Sequence, residues 1–148
     1  MKTKTIFETV GSLKERDAED IRALVAELDQ GAVFDAAATE EAIESGCLQL
    51  IVHRRRRHID AAAAIVQFRT PTGIHHRIED VVVHPKSQGK GIGRKIMLFA
   101  LDLLRENGAA SVELTSRPAR VAANALYRSL GFTQRETNVY EFRFSSAC

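Results

Sequence analysis

Residues 81–94 read Val-Val-Val-His-Pro-Lys-Ser-Gln-Gly-Lys-Gly-Ile-Gly-Arg, and no other stretch restricts the fold as tightly. A β-branched run ends at a proline, crosses a short polar loop and meets glycines at 89, 91 and 93. An amphipathic segment from Ile92 to Asn107 follows at once. The pattern predicts a strand feeding a loop that opens directly into a helix. The first amides of such a helix have no acceptor within the chain. Together with the helix dipole they favour an anion by roughly 0.3–1 kcal/mol per charge at an exposed site. Glycine suits these positions because a Cβ would hold a phosphate away from the backbone. The segment reads as a pyrophosphate cradle.

Three kinds of phosphate loop share that outline. The P-loop string Gly-x-x-x-x-Gly-Lys-[Ser/Thr] is absent from the sequence. The dinucleotide fingerprint Gly-x-Gly-x-x-Gly begins at Gly89 and Gly91 but meets Arg94 in its third slot. Glu113 stands about twenty residues on, as that fingerprint wants, yet only one strand–helix–strand unit is visible. A glycine-softened loop with no ligand is the bland alternative. The third kind follows from two strings about forty residues apart, Gln88-Gly-Lys-Gly-Ile-Gly93 and Ala125-Leu-Tyr-Arg-Ser-Leu-Gly-Phe132. In that order they resemble the acetyl-CoA loop, [Gln/Arg]-x-x-Gly-x-[Gly/Ala], and the Tyr-bearing helix ending in Gly-Phe of the GNAT (general N-acetyltransferase) superfamily. The resemblance covers most of the chain.

Size and composition bound the remaining choices. A chain of 148 residues suits one domain, here residues 1–148, with about two-thirds of its unfolded surface buried. Hydrophobic content of 45% and charged content of 27% are ordinary for a globule, and a net charge of +2 argues neither for nor against nucleic acid. No apolar run is long enough for a membrane span. The first ten residues lack a hydrophobic signal core, so export is not expected and a cytoplasmic location is the default. Cys47 and Cys148 suggest neither a disulfide framework nor a metal site, and no metal is expected.

Periodicity predicts strands over Thr3–Val10, Cys47–Val52, Ala61–Phe68, Ile74–Val83 and Ser111–Thr115, with a closing hairpin of Phe132–Arg135 and Val139–Phe144. Helices are predicted from an Asp17 cap to a Gly31 stop, with a stripe of Ile21, Leu24, Val25 and Leu28, and over Asp35–Ser45. A third carries Ile92, Ile96, Phe99 and Leu103. A fourth runs from Pro118 to Leu130 and buries Ala122, Ala123, Leu126 and Leu130. The four alanines at 61–64 suit a helix as well as a strand. The order β-α-α-β-β-β-α-β-α-β-β is similar to that of GNAT domains. The resemblance implies an α+β fold, a mixed, mostly antiparallel sheet flanked by helices and splayed between the Val81–Val83 and Ser111–Thr115 strands.

Acetyl transfer from a thioester to an amine requires a held cofactor, a neutral amine and a stabilised leaving thiolate. The backbone from Gln88 and Gly89 through Lys90, Gly91, Ile92 and Gly93 to Arg94 is expected at the pyrophosphate, with Lys90 and Arg94 adding charge. By the resemblance, the main chains of Val81 and Val83 pair with the pantetheine arm, and Tyr127 is the general acid. A phenol of pKa near 10 is protonated at neutral pH. Asn124, one turn before Tyr127, is a cofactor-binding candidate. The commoner family pattern puts Asn seven residues before the tyrosine, where Arg120 stands; Arg120 is then open to a phosphate or the substrate. Glu79 and Asp80 are the only acids on their strand, and carboxylates on a core strand need a reason. Glu79 is the candidate base or water relay, against a salt bridge with Arg77. Strand alternation lets one of the pair face a cleft unless a bulge intervenes. The Ile-Glu-Asp-Val-Val-Val string also resembles glucosamine-6-phosphate acetyltransferases, where it touches the sugar. Asp80, Ser116 and Arg117 join Glu79 as substrate candidates.

His53-Arg-Arg-Arg-Arg-His58 reads as a solvated hairpin tip, or else as a patch for an acidic substrate, RNA or a partner. It lacks interleaved aromatics, so nucleic acid is not the expected partner. His75 and His76 read as surface residues, and Cys47 as a core cysteine without an adjacent base. The resemblance implies direct acetyl transfer from acetyl-CoA to a small-molecule amine, such as an amino acid, amino sugar or polyamine. A peptide or protein amine, a CoA-binding sensor and an RNA-associated role stand as alternatives. A homodimer through the last strands is also open.

Overall fold

The structure is a computed structural model that describes residues 5–146. Cys148 and the first residues of the expected Thr3–Val10 strand lie outside them. The chain divides into two compact units, one ending at Thr115 and one starting at Ser116.

The first unit is a four-stranded antiparallel sheet in the order β1-β2-β3-β4, formed by Thr5–Thr9, Leu48–Arg55, His58–Thr70 and Gly73–Val83. Helices α1 (Glu15–Leu28) and α2 (Ala36–Glu44) follow β1, and α3 (Ile92–Glu106) follows β4 through a 3-10 turn at Pro85–Ser87. Alternation along β2 gives the sheet two apolar faces. Leu50 and Val52 pack with Val10, Ile21, Leu24, Ile59 and Ala62 on the α1 side, joined by Phe34 and Ile43. On the other face Phe7 stacks on Phe99 of α3. Both α1 and α3 pack on β3. Ala61–Ala64 are buried in that central strand, where small side chains let a helix approach from each side.

Several expectations need correction. Helix α1 starts at Glu15 with Lys14 as its N-cap, and Asp17 lies within its first turn. It ends at Leu28 with Asp29 as its C-cap, short of the expected Gly31 stop. Helix α2 is bounded by Asp35 and Ser45 as its caps rather than starting at Asp35, and Asp35 accepts from the Ala38 amide at 2.9 Å. The buried stripe of α3 is Ile92, Ile96, Met97, Ala100 and Leu104, rotated from the expected one, with Phe99 and Leu103 at its margin. The Ser111–Thr115 strand reduces to one parallel bridge, Arg77 with Glu113. There the Ile78 amide donates to the Glu113 carbonyl at 2.9 Å and the Glu113 amide to that of His76 at 3.1 Å.

The second unit holds α4 (Val121–Ser129), which begins later than expected. Tyr127 is its buried residue; Ala122 is exposed, and Ala123, Leu126 and Leu130 are half-buried. The expected closing hairpin is not formed among the described residues. Segment 132–146 carries no strand, and Val139, Tyr140, Phe142 and Phe144 are exposed. Their alternation is a local property, whereas a strand also needs a partner for its backbone groups.

Candidate active site

The last residues of β4 depart from regular pairing. Glu79 is opposite Ala64 and Val82 opposite Ala62, so Asp80 and Val81 together face Ala63. That two-against-one count is a β-bulge, a device that re-aims side chains. Asp80 sits there at φ 52°, a left-handed conformation uncommon for a side-chain-bearing residue and a recurrent mark of functional strain. Its carboxyl is pushed above the usual carboxylate range, first by partial loss of water and then by the neighbouring charge of Glu79. Asp80 still reaches solvent. Glu79 accepts from Arg77 Nε at 2.7 Å, the ion pair the sequence left open. The bulge thus places two carboxylates and the start of the Val81–Val83 run side by side.

Beyond Val83 the chain is tethered at almost every step. The His84 amide donates to the Asp60 carbonyl at 2.8 Å, and His84 Nδ1 caps the 3-10 turn by accepting from the Lys86 amide at 3.2 Å. Gln88 Nε2 donates to the Val83 carbonyl at 3.0 Å, and Lys90 Nζ to the Lys86 carbonyl at 3.1 Å. Gly89 and Gly91 take φ of 75° and 74°, and Gly91 is the N-cap of α3. The helix ladder begins with the Lys95 amide bonded to the Gly91 carbonyl at 3.1 Å. The amides of Ile92 and Gly93 precede that rung and project from the helix end. A Cβ built on Gly89 or Gly91 would meet no protein atom within 4 Å. Crowding therefore does not demand glycine here. Positive φ does, and the open space above the backbone is where a phosphate would approach. The residues fit a diphosphate group, and the whole run from Glu79 through Arg94 is brought into one continuous strand–turn–helix path.

The other expected residues lie in the second unit. Tyr127 is 7% exposed and packs edge-on against Phe132, with ring centroids 5.9 Å apart. Burial pushes its phenol up, while Arg120 pulls in the opposite direction more weakly. Asn124 donates through Nδ2 to the Arg117 carbonyl at 2.9 Å, so its amide closes the turn entering α4. The Ser116 hydroxyl is buried and lacks a hydrogen-bond partner, the only such side-chain atom found among the described residues.

The arginine run forms the expected solvated hairpin tip over Arg55–His58, but His53 and Arg54 at its start are drawn into the fold. His53 is buried, and only Arg56 and Arg57 form the two-residue turn, with Arg56 at φ 59°. Arg54 donates to both oxygens of buried Asp17 at 2.8 and 3.0 Å and to Glu8 at 2.6 Å. These carboxylates hold its guanidinium protonated well beyond its ordinary range. Cys47 is exposed rather than a core residue. His75 bonds to Thr70 and Thr72 and stacks on Phe68, and His76 bonds to Gln67, all at the β3–β4 hairpin. Sequence reasoning missed Asp60 and Ser87, which meet beneath the loop at 2.8 Å. The available signal was a lone carboxylate at the head of the Ala61–Ala64 run. No group of three or more His, Cys, Asp or Glu side chains is placed to hold a metal among the described residues. None of their helices is long and apolar enough to cross a membrane.

Comparison with known proteins adds an independent line. Streptothricin acetyltransferase of Streptomyces lavendulae is 44% identical over 55 residues, which cover 37% of this chain and 29% of that protein. The ribosomal protein bS18-alanine N-acetyltransferase of Escherichia coli (strain K12) is 38% identical over 55 residues, 37% of each chain. The chain matches between 18% and 37% of the length of its curated relatives. An aminoglycoside N-acetyltransferase solved in complex with CoA shares the fold, with a TM-score of 0.79 at 15% identity over 97% of both chains. The sequence profile of the acetyltransferase (GNAT) family matches residues 13–132. Since that match runs without a break through the bulged strand, the glycine loop and α4, this chain belongs to the acetyltransferase (GNAT) family.

Proposed function

We propose that this protein is an acetyl-CoA-dependent N-acetyltransferase, with residues 1–148 working as one such domain. Its acceptor is the primary amine of a small molecule, such as an amino acid, amino sugar or polyamine. The observation that carries the reading is the glycine loop: two left-handed glycines under open space, continuous with the N-terminus of α3. Anions are favoured at such an end. The backbone from Gln88 to Arg94 binds the diphosphate in this reading, and the Val81 and Val83 main chains lie along the pantetheine arm. Gln88 already occupies the Val83 carbonyl, so that pairing requires the Gln88 side chain to turn away.

In the reaction the amine nitrogen forms a bond to the acetyl carbonyl carbon, and the bond from that carbon to sulfur breaks. One amine proton passes to a carboxylate on β4, directly or through water. We assign it to Asp80, whose raised affinity for a proton makes it the better base. Glu79 has an oxygen engaged by Arg77 and is read as the anchored neighbour or relay. The departing thiolate takes a proton from Tyr127, which burial keeps protonated. Ser116, with its unpartnered hydroxyl, and Arg117 are read as substrate contacts, and Asn124 as a cofactor contact through its remaining oxygen.

Similarity to an enzyme named for a ribosomal-protein alanine supports a second reading, in which the acceptor is a peptide amine. The test is release of free thiol from acetyl-CoA in the presence of a panel of small amines and peptides. Turnover on a small amine supports the first reading, and turnover on peptides alone the second. CoA binding without turnover on either would make the protein a sensor and refute both.

A further inference from the structure

Asp60 is 7% exposed, His53 5% and Ser87 1%, and all three meet under the glycine loop. Asp60 Oδ1 accepts from His53 Nδ1 at 2.5 Å, and Asp60 Oδ2 accepts from the Ser87 hydroxyl at 2.8 Å. Arg55 Nε stands 3.6 Å from Oδ2. The Asp60 carbonyl holds the His84 amide. One residue thus joins β2, β3 and the turn that precedes Gly89. The sheet is built to allow it. Arg54 pairs with Ile59 and His53 with Ala61, which leaves Asp60 as the extra residue of a second bulge. Bulges re-aim side chains and collect beside active sites.

This cluster is not a nucleophilic triad. Ser87 donates to the carboxylate and not to the imidazole, so nothing activates its oxygen, and it is almost wholly buried. Nor is the cluster explained by stability alone. A buried carboxylate is costly to desolvate, and apolar residues of similar volume often stabilise a fold as well or better. What the carboxylate provides is direction, because its two oxygens are bonded to fixed partners. The loop needs that direction. Gly89 and Gly91 are permissive residues whose unrestrained ensemble is wide, and ordering a loop during binding lowers affinity.

We propose that the His53–Asp60–Ser87 junction positions the anion-binding loop, so that the amides from Gly89 to Gly93 face a diphosphate before it arrives. Asp60 and Ser87 are positioning residues that act through the loop. The proposal rests on the diphosphate reading of that loop, so its test has a readout independent of the ligand. Ser87→Ala removes one bond and leaves Asp60 paired with His53. In the ligand-free protein, hydrogen exchange of the bonded amides of His84 and Ser87, which hold the turn leading into the loop, becomes faster in this variant. By calorimetry its affinity for CoA falls by up to about tenfold, the added cost of ordering the loop as the ligand binds. The KM for acetyl-CoA rises in step, while kcat at saturating acetyl-CoA stays within about twofold of wild type. Asp60→Asn gives a larger change of the same kind; should it fail to fold, Ser87→Ala decides. Exchange or CoA affinity identical to wild type in Ser87→Ala overturns the proposal. A wild-type protein that does not bind CoA overturns the functional reading instead, and the exchange comparison still settles whether the junction orders the loop.

Discussion

Gly91→Ala separates the folding role of the loop from its binding role. Gly91 has φ 74° and caps α3, and an added Cβ would meet no protein atom within 4 Å. The folded chain therefore incurs only the strain of alanine in a left-handed conformation at a cap, about 1–2 kcal/mol. For a chain of this size that lowers the melting temperature by roughly 2–8 °C. The same methyl group occupies the open side of the loop assigned to the diphosphate. Displacing one phosphate oxygen from its amide removes a hydrogen bond to a charged group, about 1.5–3 kcal/mol, which weakens CoA binding by roughly 10- to 150-fold. Thermal melts and calorimetry with CoA, run on the same samples, measure both effects. A variant that melts a few degrees lower but binds CoA as wild type does would refute the reasoning, because the loop would then be glycine-rich for folding alone.

Tyr127→Phe is expected to lower kcat by about a hundredfold or more with CoA affinity within about twofold of wild type; unchanged kcat would remove the tyrosine as the acid. Its phenol is raised by burial, so the acid stays protonated as the solution is made alkaline and does not set the first alkaline loss of rate. Asp80 in the folded chain binds its proton more tightly than in the unfolded chain, so wild-type stability declines as pH climbs through the window just above the usual carboxylate range. Asp80→Asn should therefore melt higher than wild type at neutral pH, with the difference vanishing in acid, and should lose turnover. A difference that does not vary with pH contradicts the assignment. Arg54→Met strips buried Asp17 of its bidentate partner and should cost about 2–4 kcal/mol, while Arg54→Met with Asp17→Leu recovers most of it. Melting curves check both variants, and a silent single variant would show that this ion pair does not hold α1 to β2.

Legibility followed the range of the interactions involved. The Val81–Arg94 path was readable because each part is local: β-branched residues, a proline stop, glycines where φ must be positive, then a helical stripe. The helix near Asp35–Ser45 and the β2–β3–β4 meander were readable for the same reason. The two bulges were not, because the extra residue at Asp60 and at Asp80–Val81 is defined only by the register of a neighbouring strand. Arg54 looked like one more charge in a basic run, and only the fold of α1 against β2 brings Asp17 and Glu8 to it. The aromatic alternation at 139–144 suggested a strand that is not formed, since alternation does not supply a partner. Of the proposed site, the residues whose backbone is assigned to the diphosphate were visible in the sequence, and the Asp60–Ser87 contact proposed to hold them was not.

The central claim is that main-chain nitrogens at the head of α3 take hold of a diphosphate. Titration calorimetry with CoA and with pantetheine, which has the same arm but lacks the diphosphate and the adenosine 3′-phosphate beyond it, tests it most directly. CoA should bind and pantetheine should bind at least about a hundredfold more weakly, as the loss of two charge-assisted hydrogen bonds requires. Equal affinities for the two would contradict the account.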